Sequence, residues 1–405
     1  MVVELKPSAA CGTVPAPASK SFAHRYFLCA ALARGVSTVR GVTPSEDLLA
    51  TADCLRALGA EIDWRGDTVR IAGTDLSEPP HGVLPCRACG TTLRFLIPVA
   101  LLTGREVTLT GTASLMKRPL SVFSDLCRER GFRFDRSEES VTVCGRLTSG
   151  TYSVPGGISS QFVSGLALAL SFLDGESEIA VLPPVESRSY LLMTVGALRR
   201  FGVEAAFTED GKIRIPGGSR FIPADVTVEG DWSNAAFLDA FNALGGAVRV
   251  TGLNPESVQG DRIFPEFFER IRTGTPVLNL ADTPDLGPVC MALAAACHGA
   301  EFEGVRRLRL KESDRCAAMA EELGKFGVRT VQCPDRMTVE GGLLRPPAGL
   351  LSGHGDHRIV MADALLASLT GGRIEGAEAV GKSFPDFFSR LKELGLEVSG
   401  TGMDL

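Results

Sequence analysis

Six stretches of small and apolar residues recur along the chain, and each opens with polar residues. They read "SFAHRYFLCAALARG", "GTTLRFLIPVALLTG", "SSQFVSGLALALSFLDG", "DWSNAAFLDAFNALGG", "PDLGPVCMALAAACHG" and "DHRIVMADALLASLTGG". Because the residues after each polar start are apolar almost all round, the pattern predicts six buried helices. Each stretch ends in a glycine, and these are Gly35, Gly104, Gly175, Gly245, Gly299 and Gly371. Their intervals of 69, 71, 70, 54 and 72 residues indicate a repeat with a shortened fourth copy.

A second, amphipathic helix lies in every copy, as in "EDLLATADCLRALGAEI" and "FPDFFSRLKELGLEV". Short alternating segments such as "TVRIAG" and "IRIPG" predict strands. Each copy is therefore predicted to run strand, helix, strand, helix, strand, strand. Six copies in 405 residues predict an α/β protein of two domains, each with three βαβαββ units. We place the first domain at 15–223 and the second at 1–14 plus 224–405.

The polar start of each predicted helix bears on function. The starts are Lys20-Ser21, Gly90-Thr91, Ser159-Ser160-Gln161, Asp231-Trp232-Ser233, Pro284-Asp285 and Asp356-His357-Arg358. Cations at a helix N-terminus oppose the helix dipole unless an anion is bound there. Helices that only pack against sheets would explain the apolar residues but not these polar starts. If the repeat brings the starts together, they form a site for a multiply charged anion.

Composition narrows the class of protein. The chain is 44% hydrophobic and 22% charged with a net charge of −6, which is ordinary for a globular protein and does not favour binding to nucleic acid or an anionic membrane. We see no secretory signal and no apolar run long enough to span a bilayer. Eleven scattered cysteines suit reduced thiols in a cytoplasm. Cys86 and Cys89 form one C-x-x-C without a second pair, so no zinc motif is predicted.

Cationic residues dominate the candidate chemistry. Lys20, Ser21 and Arg25 place two cations and a hydroxyl on one helix start. Arg118 precedes a proline suited to begin a helix, where a guanidinium group would be held in a fixed position. Arg358 begins another predicted helix. These residue types suit the binding of phosphate and carboxylate groups.

Two further segments combine cations with carboxylates. "LRLKESDR" places Lys311, Glu312 and Arg315 at a predicted helix start, although a salt-bridged helix cap is an equally good interpretation. "GKSFPDFF" places Lys382 at another predicted helix start. Asp285 follows a proline at an apolar helix start, where a carboxylate can cap the helix or accept a proton. Nucleotide-binding, serine-hydrolase and metalloprotease motifs are absent from the sequence, so we expect no cofactor and no metal.

The motifs resemble those of the 5-enolpyruvylshikimate-3-phosphate (EPSP) synthase family. In order they are "SKSFAHR", "GTTLRFL", "KRP", "SSQFVSGL", "SRSY", "VEGDWSNAAF", "QGD", "PD", "KESDR", "DHR" and "GKSFPDFF". The resemblance covers nearly the whole chain. It implies an inside-out α/β barrel in each of two domains, with helices inside, sheets outside and pseudo-threefold symmetry. It also implies transfer of the enolpyruvyl group of phosphoenolpyruvate to the 5-hydroxyl of shikimate 3-phosphate, with release of phosphate.

The resemblance also implies roles for individual residues. Asp285, Glu312 and Lys20 would be catalytic. The residues implied to bind shikimate 3-phosphate are Lys20, Ser21, Arg25, Ser159, Ser160, Gln161, Ser187, Tyr190, Asp285 and Lys311. Those implied to bind phosphoenolpyruvate are Lys20, Gly90, Arg118, Gln161, Arg315, Arg358 and Lys382. No nucleic acid, membrane or protein partner is implied, and we expect a cytoplasmic monomer.

The chain departs from the family pattern at Ala18, Cys89, Phe95, Arg307 and Gly355. These departures leave the charged residues in place but bear on the shape of the phosphoenolpyruvate pocket. Two alternatives are weighed. UDP-N-acetylglucosamine enolpyruvyl transferases carry a loop cysteine near "TGTASLMKRP", which this chain lacks, and Lys-Asn in place of Lys-Ser. A non-catalytic anion-binding relative would not be expected to keep all the charged residues named above.

Overall fold

The computed structural model describes residues 1–77 and 81–401, and the chain divides into two compact units. Unit A is Ala18–Glu229, and unit B is Met1–Pro17 together with the chain from Gly230 onward. The boundaries placed from sequence lie a few residues away. A strand at Asp225–Thr227 pairs in parallel with Val36–Arg40, which is why the chain up to Glu229 belongs to unit A.

The helices are numbered along the chain. They are α1 (Lys20–Leu32), α2 (Glu46–Ala57), α3 (Gly90–Ala100), α4 (Ala113–Lys117), α5 (Ser121–Arg130), α6 (Ser160–Leu170), α7 (Arg188–Arg200), α8 (Trp232–Ala243), α9 (Phe264–Thr273), α10 (Gly287–Ala296), α11 (Arg315–Lys325), α12 (His357–Thr370) and α13 (Phe387–Glu393). Short 3-10 helices lie at Gly260–Ile263, Pro284–Leu286, Arg306–Leu310 and Ala377–Lys382.

The strands are short and are numbered in the same way. They are β1 (Val2–Leu5), β2 (Cys11–Pro15), β3 (Val36–Arg40), β4 (Glu61–Arg65), β5 (Thr68–Ala72), β6 (Val83–Pro85), β7 (Val107–Thr110), β8 (Arg133–Arg136), β9 (Ser140–Cys144), β10 (Thr151–Pro155), β11 (Ser177–Leu182), β12 (Ala206–Phe207), β13 (Lys212–Ile215), β14 (Asp225–Thr227), β15 (Ala247–Thr251), β16 (Val277–Asn279), β17 (Gly299–Glu303), β18 (Thr330–Cys333), β19 (Arg336–Glu340), β20 (Leu351–Ser352), β21 (Gly372–Glu375) and β22 (Val398–Thr401).

The described strands of unit A form three sheets of the same design. Their strand orders are β14-β3-β5-β4, β6-β7-β9-β8 and β10-β11-β13-β12. In each sheet the first two strands are parallel and the remaining neighbours are antiparallel. A parallel pair needs a crossover, which α3 supplies between β6 and β7 and α6 supplies between β10 and β11. In the first sheet α1 likewise precedes β3, but its parallel neighbour β14 comes from the carboxyl end of unit A. This pattern is the predicted βαβαββ repeat.

Unit B repeats the design with one reduction. Its described sheets have the orders β16-β17-β19-β18, β20-β21-β1-β22 and β15-β2. In the second of these, β1 lies between the two strands nearest the carboxyl end and is antiparallel to both. The third sheet has two strands in the region described, which accounts for the interval of 54 residues in the repeat.

The first helix of each repeat lies in the interior of its unit. Eleven of the 13 residues of α1 are buried, and so are 12 of the 14 residues of α12. The strands instead alternate between buried and accessible positions, as in the pattern of Thr68–Ala72. Each unit has its own hydrophobic core. Helices inside and sheets outside is the arrangement that the resemblance implies.

The six predicted helices are all present, and five of their starts are confirmed. The fifth predicted start, Pro284-Asp285, lies instead in a 3-10 helix directly before α10. They begin at Lys20, Gly90, Ser160, Trp232, Gly287 and His357. The predicted ends are less accurate, because the helices stop between one and five residues before the glycine of each repeat. Five of the glycines lie just before the next strand and Gly299 is the first residue of β17. Five of the six have positive φ, where glycine is the residue with least strain. No described helix is long and apolar enough to cross a membrane.

Asp363 places a carboxyl group in the core of unit B. It lies on α12 with no exposed surface, and neither of its oxygens has a hydrogen-bond partner among the described residues. Burial raises the pKa of Asp363 well above its ordinary value, and the negative charge of Glu322 adds to the shift, while Lys325 opposes it. The folded protein therefore keeps a proton here that the unfolded chain releases above about pH 4.

This proton predicts a pH-dependent effect of Asp363→Asn. For a carboxyl whose pKa is raised on folding, stability falls as pH rises above the unfolded pKa, by at most about 1.4 kcal/mol per pH unit. We expect the variant to gain stability relative to the parent between pH 5 and pH 7, as measured by urea unfolding at each pH. Glu256→Gln, at an exposed position, is the control and should show a constant difference. An Asp363→Asn difference that does not change with pH would contradict the prediction.

Candidate active site

The residues singled out from sequence fall into two sets, one in each unit. Unit A holds Lys20, Ser21, Arg25, Gly90, Arg118, Ser159, Ser160, Gln161, Ser187 and Tyr190. Unit B holds Asp285, Lys311, Glu312, Arg315, Arg358 and Lys382. The contacts of each set are described in turn.

Lys20 is held by a carboxylate that the sequence analysis did not single out. Its Nζ lies 2.8 Å from an Asp47 carboxylate oxygen, and both side chains are mostly buried. Asp47 lies in the first turn of α2, after the N-cap Ser45. An acidic residue there has an ordinary explanation in the helix dipole, so the sequence offers no sign of its pairing with Lys20. The ion pair fixes the ammonium group at the start of α1.

Arg25 is buried, and its guanidinium group ties three segments together. Nε donates to Thr194 Oγ1 at 2.8 Å, and one terminal nitrogen donates to the Ser21 carbonyl at 2.7 Å. The other terminal nitrogen donates to the Tyr190 carbonyl at 3.0 Å and to Ser164 Oγ at 3.4 Å. Burial lowers the pKa of Arg25 to about 10, so the group is still a cation at neutral pH. Four of its five N–H groups are thus used within unit A.

The His24 ring contacts a pair of threonine hydroxyl groups. Its Nδ1 lies 2.8 Å from Thr51 Oγ1, which lies 2.6 Å from Thr92 Oγ1. Burial lowers the pKa of His24 to about 3, and the charges of Lys20 and Arg25 add to the shift, although Asp47 opposes it. The imidazole is therefore neutral at physiological pH.

The start of α3 is shaped for a guanidinium group. A Cβ on Gly90 would lie 2.6 Å from a terminal nitrogen of Arg118, so a side chain at this position would displace the arginine. The Arg118 carbonyl accepts a hydrogen bond from Arg136 at 3.0 Å. Gln161 donates to Thr91 Oγ1 at 2.8 Å, which links the starts of α3 and α6. The structure thus brings Gly90, Arg118 and Gln161 into one region.

Arg94 is a second residue that the sequence analysis did not single out. It lies on α3, it is buried, and it donates to Gln161 Oε1 at 2.8 Å and to the Pro119 carbonyl at 3.3 Å. Its guanidinium group also stacks over the Phe162 ring, with 5.1 Å to the centroid. The sequence did indicate that Arg94 needs partners, because it is a cation within an otherwise apolar helix and a buried charge must be paired or hydrogen-bonded.

The remaining residues of the unit A set lie at the starts of α6 and α7. Ser159 Oγ accepts from the Gln161 backbone N–H at 3.3 Å and caps α6, and Ser160 is buried beside it. Ser187 is buried with φ of 55°, a left-handed conformation that costs energy in a residue other than glycine. Its carbonyl accepts from the Tyr190 N–H at 3.0 Å. A strained, buried serine is typical of a functional position.

Asp285 lies among three cations of unit B. One carboxylate oxygen lies 2.8 Å from Arg315 and 3.3 Å from Lys311, and the other lies 3.4 Å from Arg358. Burial raises the pKa of Asp285, but the charges of Arg358, Lys311 and Arg315 outweigh it and hold the pKa well below its ordinary value. Asp285 is therefore a carboxylate at neutral pH, and only its protonated form could act as an acid.

Arg315 is the centre of the cluster and is almost fully buried. Its guanidinium group also pairs with Asp356 at 2.8 Å and Glu312 at 3.0 Å, so it joins three carboxylates. Burial lowers the pKa of Arg315, but the charges of Asp356, Glu312 and Asp285 raise it above its ordinary value. Arg358 in turn donates to Ser233 Oγ at 2.8 Å. We call Asp285, Lys311, Glu312, Arg315, Asp356 and Arg358 the Asp285 cluster.

Three placements in this set differ from the expectation of a helix start. Lys311 and Glu312 lie in the loop between a 3-10 helix and α11, whose N-cap is Asp314. Lys382 ends a 3-10 helix five residues before α13, and its Nζ donates to the Gly355 carbonyl at 2.6 Å. Arg315 and Arg358 do lie in the first turns of their helices.

Asp261 is a further buried acid that sequence reasoning left unused, although it lies in the quoted "QGD" motif. Burial raises its pKa to about 7, and the charges of Asp285 and Asp231 add to the shift, while Arg358 and Lys311 oppose it. It thus lies close enough to the Asp285 cluster to share its field.

The two sets have complementary chemistry. Unit A offers Lys20, Arg25 and Arg118 together with hydroxyl and amide groups. Unit B offers a carboxylate that is ionised at neutral pH within a group of cations. Cations and hydroxyl groups bind phosphate and carboxylate groups, and a positioned carboxylate can accept a proton.

Comparison with known proteins agrees with this chemistry. The sequence profile of the EPSP synthase (3-phosphoshikimate 1-carboxyvinyltransferase) family matches residues 5–391. A 3-phosphoshikimate 1-carboxyvinyltransferase from Clostridium kluyveri is 36% identical over 98% of each chain. The enzyme of the same name from Clostridium novyi is 33% identical over 97% of each chain.

Solved structures show the same fold. An EPSP synthase from Acinetobacter baumannii matches with a TM-score of 0.78 and 25% identity, over 98% of this chain and 100% of that one. An enolpyruvyl transferase from Streptomyces tendae has a TM-score of 0.77 over 98% of each chain, and at 18% identity it supports the fold alone. On the family profile and the clostridial relatives together, this chain belongs to the EPSP synthase (3-phosphoshikimate 1-carboxyvinyltransferase) family.

Proposed function

We propose that the protein transfers the enolpyruvyl group of phosphoenolpyruvate to the 5-hydroxyl of shikimate 3-phosphate. The products are 5-enolpyruvylshikimate 3-phosphate and inorganic phosphate. The observation that carries the proposal is Asp285, a buried carboxylate held ionised by Lys311, Arg315 and Arg358, in a chain of this family. Such a group can remove a proton from a bound hydroxyl.

The reaction requires proton transfer in two stages. In the first, the hydroxyl oxygen attacks the enol carbon and loses its proton while the methylene carbon gains one, which gives a tetrahedral intermediate. In the second, a proton leaves the new methyl group as phosphate departs. We assign the proton of the hydroxyl to Asp285, because this carboxylate is ionised at neutral pH and so has a free site for a proton. We assign the carbon proton to Glu312, with Lys20 as a third catalytic group.

The remaining residues are assigned to binding. For shikimate 3-phosphate we propose Lys20, Ser21, Arg25, Ser159, Ser160, Gln161, Ser187, Tyr190, Asp285 and Lys311. For phosphoenolpyruvate we propose Lys20, Gly90, Arg118, Gln161, Arg315, Arg358 and Lys382. The contacts of most of these cations support their roles in one respect. The charged groups of Lys20, Arg25, Lys311, Arg315, Arg358 and Lys382 are held by neighbouring oxygens, as a pre-organised anion site requires. The bound substrates would then replace some of these oxygens.

The proposal is tested by phosphate release. Purified protein is mixed with phosphoenolpyruvate alone, and then with shikimate 3-phosphate added. We expect release of phosphate only with both substrates, in equal amount to the enolpyruvyl product measured by mass spectrometry. Binding of both compounds without phosphate release would instead support a non-catalytic anion-binding relative.

The UDP-N-acetylglucosamine enolpyruvyl transferase alternative is not favoured, because the family profile and the curated relatives are those of EPSP synthases. Replacing shikimate 3-phosphate by UDP-N-acetylglucosamine should give no phosphate. We further propose that the enzyme acts in the cytoplasm, because its scattered free cysteines suit a reducing compartment. We also propose that it acts as a monomer. Size-exclusion chromatography with light scattering tests the monomer.

A further inference from the structure

Three buried side chains of unit A bring metal-binding atoms close together. They are His24 on α1, Asp47 on α2 and Cys89, which is the N-cap of α3. A ring nitrogen, a carboxylate oxygen and the thiol sulfur lie within 4.8 Å of one another. His24 and Cys89 are 65 positions apart in the sequence, so the three residues do not form a recognisable metal-binding motif.

The free nitrogen of His24 is the second observation. His24 is only 1% exposed, and its Nε2 atom has no hydrogen-bond partner among the described residues. A buried polar atom without a partner is unfavourable unless a ligand satisfies it. Nδ1 lies 2.8 Å from Thr51 Oγ1, and the hydroxyls of Thr51 and Thr92 lead on to the Asp47 carbonyl. If Nδ1 donates into this chain, Nε2 carries an unused lone pair. A metal-bound histidine is held in the same way, by a hydrogen bond from its other nitrogen.

We propose that His24, Asp47 and Cys89 form a binding site for a divalent transition cation such as Zn²⁺. Imidazole, carboxylate and thiolate are the protein ligands of zinc, and bonds of about 2.0–2.3 Å at tetrahedral angles place ligand atoms roughly 3.3–3.8 Å apart. The three donors, which lie within 4.8 Å of one another, must therefore approach by at most about 1.5 Å. Three protein ligands leave a fourth position for water.

Binding must displace two partners. The Cys89 thiol loses its proton to solvent as the metal–sulfur bond forms, since the thiolate is the ligand. Burial raises the pKa of Cys89 to about 12, and the charge of Asp47 adds to the shift, so the free thiol is protonated before the metal enters. Asp47 gives up its 2.8 Å ion pair with Lys20.

The displacement of Lys20 gives the site a consequence. This step rests on the proposed function, in which Lys20 is a catalytic group. With Asp47 bound to the metal, Lys20 loses this ion pair, and a doubly positive ion lies beside its ammonium group. Zn²⁺ is therefore expected to be a reversible inhibitor of turnover, with chelation restoring activity.

A second group of donors is weaker as a candidate. Glu321, Glu322 and His354 also lie within 4.8 Å of one another. Both oxygens of Glu322 already lie 2.9 Å from Lys325, however, and His354 Nε2 lies 2.7 Å from Glu322. Donors of this second group are thus hydrogen-bonded to each other and to a cation, whereas His24 Nε2 has no hydrogen-bond partner among the described residues.

Cadmium titration tests the site directly, because a cadmium–thiolate bond has an ultraviolet charge-transfer band. The protein is first treated with a chelator and then titrated with Cd²⁺. We expect one equivalent to produce the band. Cys89→Ser should abolish it while keeping a side-chain oxygen to cap α3. His24→Asn keeps an amide near the Nδ1 position but deletes Nε2. It should weaken Cd²⁺ binding by at least about tenfold, since the loss of a group that only supports a ligand already costs about 10–100-fold.

The exposed thiols supply the control. Cys11 and Cys333 are the cysteines in exposed positions, and the double variant Cys11→Ser, Cys333→Ser should keep the one-equivalent band. The site is refuted if the parent gives no band, if Cys89→Ser keeps it, or if His24→Asn binds Cd²⁺ as tightly as the parent while its circular dichroism is unchanged. Should His24→Asn fail to fold, the Cys89→Ser comparison decides.

Inhibition by Zn²⁺ is measured separately. One equivalent should slow phosphate release by the parent, and Cys89→Ser should be at least about tenfold less sensitive. The two hypotheses fail in different ways. A chelator-treated parent that releases no phosphate refutes the proposed function and leaves the cadmium result intact, whereas an active parent without a cadmium band refutes the metal site alone.

Discussion

Asp285→Asn is expected to lower the rate of phosphate release by about two to four orders of magnitude, the range usual for a group that transfers a proton. Asparagine keeps the shape of the side chain but cannot take a proton from the hydroxyl of shikimate 3-phosphate. It also removes one negative charge from among Lys311, Arg315 and Arg358. Glu312→Gln should cause a loss of the same order. Binding of shikimate 3-phosphate, measured by calorimetry, should survive better than turnover in both variants.

The control for this experiment is Asp314→Asn. Asp314 caps α11 and pairs with Arg309, and asparagine is also a favourable cap, so turnover should stay within a factor of a few. Thermal unfolding of each variant separates loss of structure from loss of chemistry. If Asp285→Asn and Glu312→Gln both kept turnover near that of the parent, neither residue would transfer a proton in a step that limits the rate.

The Asp285 cluster also illustrates what a sequence can and cannot predict. "KESDR" and "DHR" mark its residues, because a dense mixture of charges is visible along the chain. Their mutual pairing is not visible: Arg315 contacts Asp356, 41 residues later, through its Nε. An equally good interpretation of the motif was a local salt-bridged cap. The structure contains both, since Asp314 caps the helix while Arg315 reaches across to Asp285 and Asp356.

Arg118→Ala is expected to weaken phosphoenolpyruvate binding by roughly ten- to hundredfold, and Arg25→Ala to weaken shikimate 3-phosphate binding to a similar extent. The reason is that a lost charge-assisted hydrogen bond costs about 1.5–3 kcal/mol. Calorimetry with each ligand on each variant should give opposite losses. Two variants that chiefly lost the same ligand would show that the assignment of the two anion sites is wrong.

Arg25 requires a second variant, because its four hydrogen bonds also support unit A. Tyr190→Phe removes only a hydroxyl group at a position assigned to the same ligand. It should weaken shikimate 3-phosphate binding by a smaller factor, about three- to tenfold, as expected for a neutral hydrogen bond. Phosphoenolpyruvate binding should be unchanged in this variant.

The fold was more accessible from sequence than the site. The period of about seventy residues and the apolar helices predicted the two sets of three repeats, because a helix that is buried on all sides needs apolar residues along its whole length. Pairs between repeats leave no such mark. Asp47 holds Lys20, but its place in the sequence is explained by the helix dipole alone. Arg94 holds Gln161, but it lies within an apolar stretch. Contacts of this kind depend on how helices are placed beside one another.

The position of β1 has a consequence for synthesis on the ribosome. β1 pairs with β21 and β22, which are made long after it, so Val2–Leu5 must wait until the chain as far as Thr401 has been made. Unit A, by contrast, is one continuous segment between Ala18 and Glu229 and can complete its sheets while unit B is still missing strands. The amino-terminal strand thus spends most of translation without a partner, as an open edge that is able to pair wrongly. Its length of four residues limits that hazard.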